Sequence, residues 1–252
     1  MAKAPIAIAT TAVPETVIPV DGGQLLVVPA AGRRVMAGAP GGTGVPPMPD
    51  SPAAGGWPAV VLLHGAGSGT DAPVPRRLGE LLVAAGVTVG RLEMPYRVAG
   101  RKAPDRPARL DAVLMAAVAA LADLRPATLG ADSPLRLGLA GASMGSRVAA
   151  RTARAVGARG VLALGFPLHP PGGRPSRQPE LDGAGVPVYV LQGERDSFGR
   201  PEADPARGVE VAVVAGADHS FKVRVRDGRS AAEVVEEAAG LGAAWLLSRL
   251  RA

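Results

Sequence analysis

The arrangement of apolar and polar residues changes near residue 58 of the chain. Before this point, two β-branched or aliphatic runs at 15–20 and 24–28 flank an Asp-Gly-Gly sequence at 21–23, which is typical of a tight turn. After it, short uninterrupted apolar runs alternate with longer segments whose apolar residues recur at helical spacing. The pattern therefore predicts an N-terminal hairpin at 15–28, followed by strands that alternate with helices.

After residue 58, the apolar runs have the length of strands that are covered on both faces. The segments between these runs have the length of helices. Such alternation forms βαβ units, so we expect an α/β fold with a mostly parallel central sheet and helices on both faces. The whole chain, 1–252, is interpreted as one domain with its core at 58–252. The predicted strands are 59–63, 87–92, 135–140, 161–165, 186–192 and 209–214, and the predicted helices are 74–85, 106–124, 144–156 and 231–250.

The segment 37–57 interrupts this pattern because it is dense in glycine and proline. Such a segment cannot bury an apolar face, so we expect a loop. We interpret it as an insertion between strands and not as a domain linker, since the hairpin before it is too short to fold alone.

Composition narrows the classes of function. The chain has 47% hydrophobic residues, 3% aromatic residues, no cysteine and a net charge of +6. The lack of cysteine excludes disulfides, thiolate metal sites and a cysteine nucleophile. Nucleic acid is not an expected partner, because the arginines are scattered along the chain and aromatic residues are too few for base stacking.

The sequence does not predict a membrane partner either. Residues 1–11 lack the successive basic, apolar and small-residue regions of a signal peptide, and no stretch approaches the roughly 20 apolar residues of a membrane-spanning helix. We therefore expect a cytoplasmic protein of bacterial type, and the sequence leaves its oligomeric state open.

The strongest chemical signal is the G-x-S-x-G motif at 141–145, between a predicted strand and a predicted helix. In a nucleophile elbow of this kind, the serine occupies a strained turn and only small neighbours fit beside it. Ser143 is therefore the predicted nucleophile. The amide of Met144, at the N-terminus of the helix, is one predicted donor to an oxyanion. The alternative is an ordinary glycine-rich turn.

A serine nucleophile needs a base that accepts its proton, and the chain has three histidines, His64, His169 and His219. In hydrolases with this elbow, the order along the chain is nucleophile, acid, histidine, and the histidine follows the last core strand. Only His219 satisfies this placement. The alternative is a solvent-exposed loop histidine.

The acid is expected after the strand predicted at 186–192, where a G-x-x-D sequence ends at Asp196. Its role would be to hold the imidazole in one tautomer and to stabilise the imidazolium. Glu194 and Asp218 are the alternatives, and each would otherwise belong to a solvated loop or a helix cap.

The loop at 64–69 follows the first core strand and is the expected source of the second oxyanion donor. Its small residues let the backbone approach a substrate oxygen closely, and the amide of Ala66 is the expected donor. His64 is interpreted as a residue that orders this loop. The chain contains neither G-x-x-x-x-G-K-[ST] nor G-x-G-x-x-G, and no metal or organic cofactor is expected.

Basic residues follow the second core strand at Arg97, Arg101, Lys102 and Arg106. Arginine binds carboxylates through two hydrogen bonds, so an anionic substrate is one hypothesis and a solvated basic loop is the alternative. The proline-rich segment 166–185 is too short and broken for a helical cap, which favours small or accessible esters. The residues considered as substrate contacts are Gly65, Tyr96, Arg101 and His169.

Six separated motifs resemble the dienelactone-hydrolase-like branch of the α/β-hydrolases, and more narrowly a set of small, mostly uncharacterised bacterial members. The resemblance covers the core of the chain. It implies an α/β-hydrolase fold with little or no cap and a triad of Ser143, Asp196 and His219, but it implies no particular substrate. The motifs are HGAGSGTD at 64–71, PY at 95–96 with KAPDR at 102–106, SMG at 143–145, PLHPPG at 167–172, GERD at 193–196 and DHSF at 218–221.

The expected function is a serine hydrolase that cleaves small or accessible carboxylic esters or lactones through an acyl-serine intermediate. Two alternatives remain. One is a non-catalytic interaction protein built on the same fold, and the other is an acyltransferase that uses the same triad.

Overall fold

The computed structural model describes residues 15–30, 56–125 and 133–252. Its strands are β1 (Thr16–Val20), β2 (Gly23–Val28), β3 (Trp57–Leu63), β4 (Thr88–Glu93), β5 (Leu135–Ala142), β6 (Gly160–Leu164), β7 (Val188–Gly193) and β8 (Val209–Val214). Its helices are α1 (Pro73–Ala84), α2 (Pro95–Val98), α3 (Pro107–Asp123), α4 (Met144–Thr152), α5 (Gln178–Asp182) and α6 (Ala231–Arg251).

The strands form one sheet in the order β1-β2-β4-β3-β5-β6-β7-β8. The first two form the expected hairpin, and Asp21 and Gly22 at its turn have positive φ angles of 47° and 77°, as the favoured two-residue hairpin turn requires. β2 also pairs antiparallel with β4, and the other neighbouring strands of the described sheet run parallel. The predicted α/β fold with a mostly parallel sheet is confirmed.

Apolar residues cover both faces of the sheet, as β3 illustrates. Ala59, Val61 and Leu63 belong to a core shared with α3 and α4, whereas Val60 and Leu62 belong to a core shared with α1 and α6. Side chains alternate between the faces of a strand, so an uninterrupted apolar run supplies both cores. The helices therefore lie on both faces, as predicted.

Most predicted boundaries differ from the structure by one or two residues, and two differences have a clear structural cause. β3 begins at Trp57, whose indole Nε1 donates to Thr88 Oγ1 at 2.9 Å, so the end of the predicted loop 37–57 is part of a strand. The rest of that loop, through residue 55, lies outside the described residues. The helix predicted at 144–156 ends at Thr152, because the backbone turns beyond it and becomes left-handed at Gly157, where φ is 66°.

The short helices α2 and α5 are absent from the sequence-based prediction, since four or five residues do not show a helical period. α5 is the one helix within the segment 166–185, and it packs against α4. This agrees with the expectation of little or no cap. None of the helices within the described ranges is long and apolar enough to cross a membrane.

Candidate active site

Ser143 lies in the turn that joins β5 to α4. Its φ and ψ angles are 49° and −110°, a conformation that costs a non-glycine residue energy and persists only where the surroundings impose it. A Cβ atom added at Gly141 would lie 2.2 Å from the carbonyl carbon of Gly145, and one added at Gly145 would lie 2.7 Å from the carbonyl oxygen of Leu63. Both glycines of the motif are therefore required by close backbone packing.

His219 follows β8 and reaches back to the serine. Its Nε2 atom lies 2.8 Å from Ser143 Oγ. The loop after β6 packs against it so closely that a Cβ atom at Gly165 would lie 2.9 Å from the carbonyl oxygen of His219. The Phe198 ring lies 4.5 Å from the imidazole, centroid to centroid. The backbone and the Phe198 ring thus hold the imidazole facing Ser143.

Asp196 follows β7, and its Oδ2 atom lies 2.7 Å from His219 Nδ1. The carboxylate side chain is 1% exposed. An ionised carboxylate can only accept hydrogen bonds, so Nδ1 is the donor, and the Nε2 atom of the neutral ring is left to accept the hydroxyl proton of Ser143. The three side chains form one continuous hydrogen-bonded series.

The two alternative acids have other partners. Glu194 Oε2 accepts a hydrogen bond from the amide of Gly216 at 2.7 Å. Asp218 Oδ1 accepts hydrogen bonds from the amides of Ser220 and Lys222 at 2.8 and 2.9 Å. Both carboxylates therefore stabilise the backbone of the loops around His219 and do not contact its ring.

Gln192, a buried residue beside Asp196, was not predicted from the sequence. Its Nε2 lies 2.7 Å from Asp196 Oδ2 and 2.7 Å from the carbonyl oxygen of Gly199, and its Oε1 accepts from the amide of Phe166 at 2.9 Å. It thus orients the carboxylate and joins the loops after β6 and β7. The available signal was a polar residue within an otherwise apolar strand.

Ala66 and Met144 line a cavity together with Ser143. The amide of Met144 belongs to the first turn of α4, where amides have no acceptor within the helix. The Tyr96 hydroxyl donates to the carbonyl oxygen of Ala66 at 2.9 Å, and burial raises the pKa of Tyr96 to about 12, which keeps it a donor. Both residues therefore border the same cavity as the serine.

His64 has a different environment from His219. It is buried, and burial lowers the pKa of its imidazole. Its Nε2 accepts from the amide of Met94 at 3.1 Å and its Nδ1 donates to the carbonyl oxygen of Gly65 at 2.7 Å. Both ring nitrogens are bonded to backbone groups, one in the loop after β3 and one directly after β4, so His64 joins these two segments and orders the backbone near Ala66.

Two cavities meet at Ser143. The first, which we call the apolar cavity, has a volume of about 750 Å³ and extends past His219 toward the starts of α1 and α6. The second, the basic cavity, has a volume of about 330 Å³ and extends along α4. The apolar cavity is lined in part by Val74, Leu164, Phe198, Phe221 and Val235, and the basic cavity in part by Asp105, Leu110, Arg147, Arg151 and Arg177.

Of the expected substrate contacts, Gly65 lines the apolar cavity. The other three require correction, because they line neither cavity. Tyr96 is buried beneath the loop that contains Ala66. Arg101 pairs with Asp105 at 2.7 Å, one helical turn away in sequence. His169 lines a separate cavity with Arg200 and Arg207.

The basic residues beside the serine are thus not those of the loop 97–106, as expected, but Arg147, Arg151 and Arg177. Spacing alone could have indicated the first two, which lie one turn apart on α4. Over the ranges that the structure describes, no group of three or more histidines and carboxylates is arranged to hold a metal ion.

Comparisons with known proteins agree with this architecture. No curated protein matches the chain. Three solved structures with a similar fold are an α/β serine hydrolase without lid from Xanthomonas campestris (16% identity, TM-score 0.58, covering 92% of this chain and 94% of that chain), Est1E from Butyrivibrio proteoclasticus (14%, 0.62, 93% and 98%) and dienelactone hydrolase from Anabaena variabilis (17%, 0.61, 93% and 97%).

The sequence itself matches a family model over most of its length. Residues 57–246 correspond to the model described as an alpha/beta hydrolase domain. This range begins with β3, the first parallel strand, and ends within α6, so it contains every loop that contributes to the site. The chain belongs to the α/β-hydrolase family.

Proposed function

We propose that this protein is a serine hydrolase that cleaves small or accessible carboxylic esters or lactones through an acyl-enzyme at Ser143. One observation carries the proposal: the hydrogen-bonded series from Ser143 Oγ through His219 to Asp196, with distances of 2.8 and 2.7 Å. The Ser143 end of this series lies where the two cavities meet.

The first half of the reaction forms the acyl-enzyme. Ser143 Oγ attacks the acyl carbon while its proton moves to His219 Nε2, and Asp196 stabilises the imidazolium through Nδ1. The amides of Ala66 and Met144 donate hydrogen bonds to the oxyanion. When the tetrahedral intermediate collapses, the bond to the leaving alcohol breaks and the alcohol takes the proton from His219.

The second half restores the enzyme. A water molecule attacks the acyl-enzyme and gives its proton to His219 Nε2, which then returns a proton to Ser143 Oγ as the carboxylic acid leaves. This cycle starts from a neutral imidazole, whose Nε2 atom can accept the proton of Ser143. No further group is required for these proton transfers.

The dimensions of the site support an ester with groups on both sides of the scissile bond. The apolar cavity of about 750 Å³ is large enough for an aliphatic or aromatic group. The short segment that holds α5 leaves the serine accessible. Est1E and the dienelactone hydrolase, similar only in fold, are consistent with an ester or lactone substrate.

The test is labelling with a fluorophosphonate probe, which reacts with activated serines. The wild type should be labelled, and Ser143→Ala and His219→Ala should not. Ser248→Ala and His169→Ala are matched controls outside the site, and both should be labelled like the wild type.

Absence of labelling in a folded wild type would contradict the proposal and favour the non-catalytic alternative. If labelling occurs, hydrolysis of para-nitrophenyl esters with and without an added alcohol distinguishes the hydrolase from an acyltransferase. A hydrolase forms mainly the free acid, whereas an acyltransferase forms mainly the new ester.

A further inference from the structure

Three arginine side chains line the basic cavity together with Ser143. Arg147 and Arg151 come from α4, the helix that follows the serine, and Arg177 immediately precedes α5. Three guanidinium groups beside a serine nucleophile would repel a cationic substrate and attract an anionic one. Whether this charge is available to a ligand depends on the partners of each arginine.

Arg147 and Arg151 are neutralised within the protein. Arg147 donates two hydrogen bonds of 2.7 Å to the carboxylate of Glu180. Arg151 donates to both oxygens of Asp111, at 3.0 and 2.6 Å, and to Glu180 at 3.2 Å. Burial alone would raise the pKa of Glu180, but the two arginines outweigh burial and lower it, so Glu180 is ionised at neutral pH.

Arg177 differs from both. Within the described ranges, no carboxylate lies within ion-pair distance of its guanidinium, and its one side-chain hydrogen bond is from Nη1 to the carbonyl oxygen of Pro167, at 2.9 Å. Its Nε and Nη2 atoms form the unused edge of the group. Burial and the neighbouring charge of Arg147 lower the pKa of Arg177, and Glu180, which is hydrogen-bonded to Arg147 and Arg151, offsets this only in part.

The backbone holds Arg177 in place. Its amide donates to the carbonyl oxygen of Leu168 at 2.9 Å, and its Nη1 donates to Pro167, so two bonds tie it to the loop after β6. The Nε–Nη2 edge of an arginine presents two parallel N–H groups that match the two oxygens of a carboxylate. A preorganised edge of this kind loses little entropy when it binds.

We propose that Arg177 binds a carboxylate of the substrate in the basic cavity, so that the preferred substrate is an ester with an anionic group on one side of the scissile bond and an apolar group on the other. This inference rests on the proposed function. It places the anion at Arg177, and not at the loop 97–106 that sequence analysis indicated.

The remaining charge in the basic cavity is consistent with this assignment. Asp105 is the carboxylate that also lines it, and Asp105 is paired with Arg101. Arg101, Arg147 and Arg151 each pair with a carboxylate, whereas Arg177 does not, so the positive charge of Arg177 is unbalanced. One bound carboxylate would balance it.

The test compares carboxylated esters with neutral esters of matched length. The neutral substrate is para-nitrophenyl hexanoate. The anionic substrates are the mono-para-nitrophenyl ester of adipate, with its carboxylate on the acyl side, and the hexanoate of a carboxylated nitrophenol, with its carboxylate on the alcohol side. The measured quantity is the ratio of kcat/KM for each anionic ester to kcat/KM for the neutral one, in wild type and variants.

For one of the two anionic esters, Arg177→Gln should lower this ratio by about 10- to 100-fold, the usual effect of losing a charged two-point hydrogen bond. Arg177→Lys keeps the charge but not the two-point geometry, so its ratio should be intermediate. The matched control is Arg174→Gln, which removes the same charge from an exposed position of the same loop and should leave the ratio unchanged.

Three outcomes separate the possibilities. If the wild type hydrolyses the neutral ester and Arg177→Gln and Arg177→Lys leave both ratios unchanged, the inference is overturned and the proposed function stands. If Arg174→Gln lowers the ratio as much as Arg177→Gln does, the effect is a general one of surface charge, and the inference is again overturned. If the folded wild type hydrolyses none of the esters and resists the fluorophosphonate, the proposed function and the inference fail together.

Discussion

The apolar and the basic cavity share Ser143 but are built in different ways. The apolar cavity takes its lining from small or aliphatic residues at the starts of α1 and α6 and from the loops after β3 and β8. The basic cavity takes its lining from one face of α4, whose arginines pair with carboxylates distant in sequence, and from residues in or next to α3 and next to α5. The first is defined mainly by shape and the second mainly by charge.

This difference indicates how the two sides would select a substrate. An apolar pocket distinguishes groups by size, at about 1–3 kcal/mol for each methylene that is added or lost. A site with an unpaired charge distinguishes groups by sign and by hydrogen-bond geometry. A serine between the two cavities would therefore prefer an ester with an apolar group on one side of the scissile bond and an anionic group on the other.

The largest expected effect comes from Asp196, because the reaction at Ser143 needs it whichever cavity the substrate occupies. Asp196→Asn should lower kcat/KM by about 10⁴-fold for neutral and anionic esters alike, because an amide in place of the carboxylate favours the wrong imidazole tautomer. Steady-state kinetics with the three esters described above measures it. Glu194→Gln and Asp218→Asn are the controls, and an equal loss in either would contradict the assignment of the acid.

An effect of intermediate size is expected from filling the apolar cavity alone. Val235 lines this cavity from the first turns of α6. Val235→Trp should lower kcat/KM for a long apolar ester relative to a short one by about 10- to 100-fold, since the added ring occupies the volume that a chain would need. Val225→Trp, at a fully exposed position, is the matched control. An equal loss for both chain lengths would mean that the long chain lies elsewhere.

The smallest effect concerns the stability of the basic cavity. The arginines lower the pKa of Glu180 in the folded state, so its stabilising contribution is complete above the ordinary value of 4.5 and is lost as the pH falls through the lowered pKa. Glu180→Gln should therefore reduce the free energy of unfolding by about 1 kcal/mol at pH 7, and the difference from wild type should shrink below pH 4.5.

Urea unfolding at several pH values measures this difference. The control is Glu236→Gln, because the Glu236 side chain is 58% exposed in its pair with Arg77 and such pairs contribute little. A difference between wild type and Glu180→Gln that stays constant from pH 7 to pH 3 would show that the charge of Glu180 does not stabilise the helix pair α4 and α5.

Most elements of the core could be predicted from the sequence because their signals are local. An apolar run such as that of β3 is long enough to be recognised, and the Gly-x-Ser-x-Gly turn is required by backbone packing that tolerates only small residues. The order of Ser143, Asp196 and His219 along the chain also led to the three residues that the structure brings within hydrogen-bond distance.

The substrate-facing residues could not be predicted in the same way. Arg101 and Arg177 are both loop arginines, yet Arg101 is paired with a carboxylate four residues later and Arg177 has no such partner. Likewise, Gln192 contacts Asp196 only because the loops after β6 and β7 close around it. Gln192 also binds the backbone of Phe166, 26 residues earlier in the chain. Which side chain lacks a partner, and which loops close around Gln192, depends on how separate parts of the chain come together, and no local pattern encodes this.

The sequence by itself therefore determined the parallel sheet, the helices on its two faces and the strained serine turn, because hydrophobic period and glycine geometry are properties of short segments. Only the tertiary structure decided which arginines border Ser143 and which of them lacks a carboxylate. The physical reason is that charge is balanced through space, and helices α3, α4 and α5 supply the partners from separate parts of the chain.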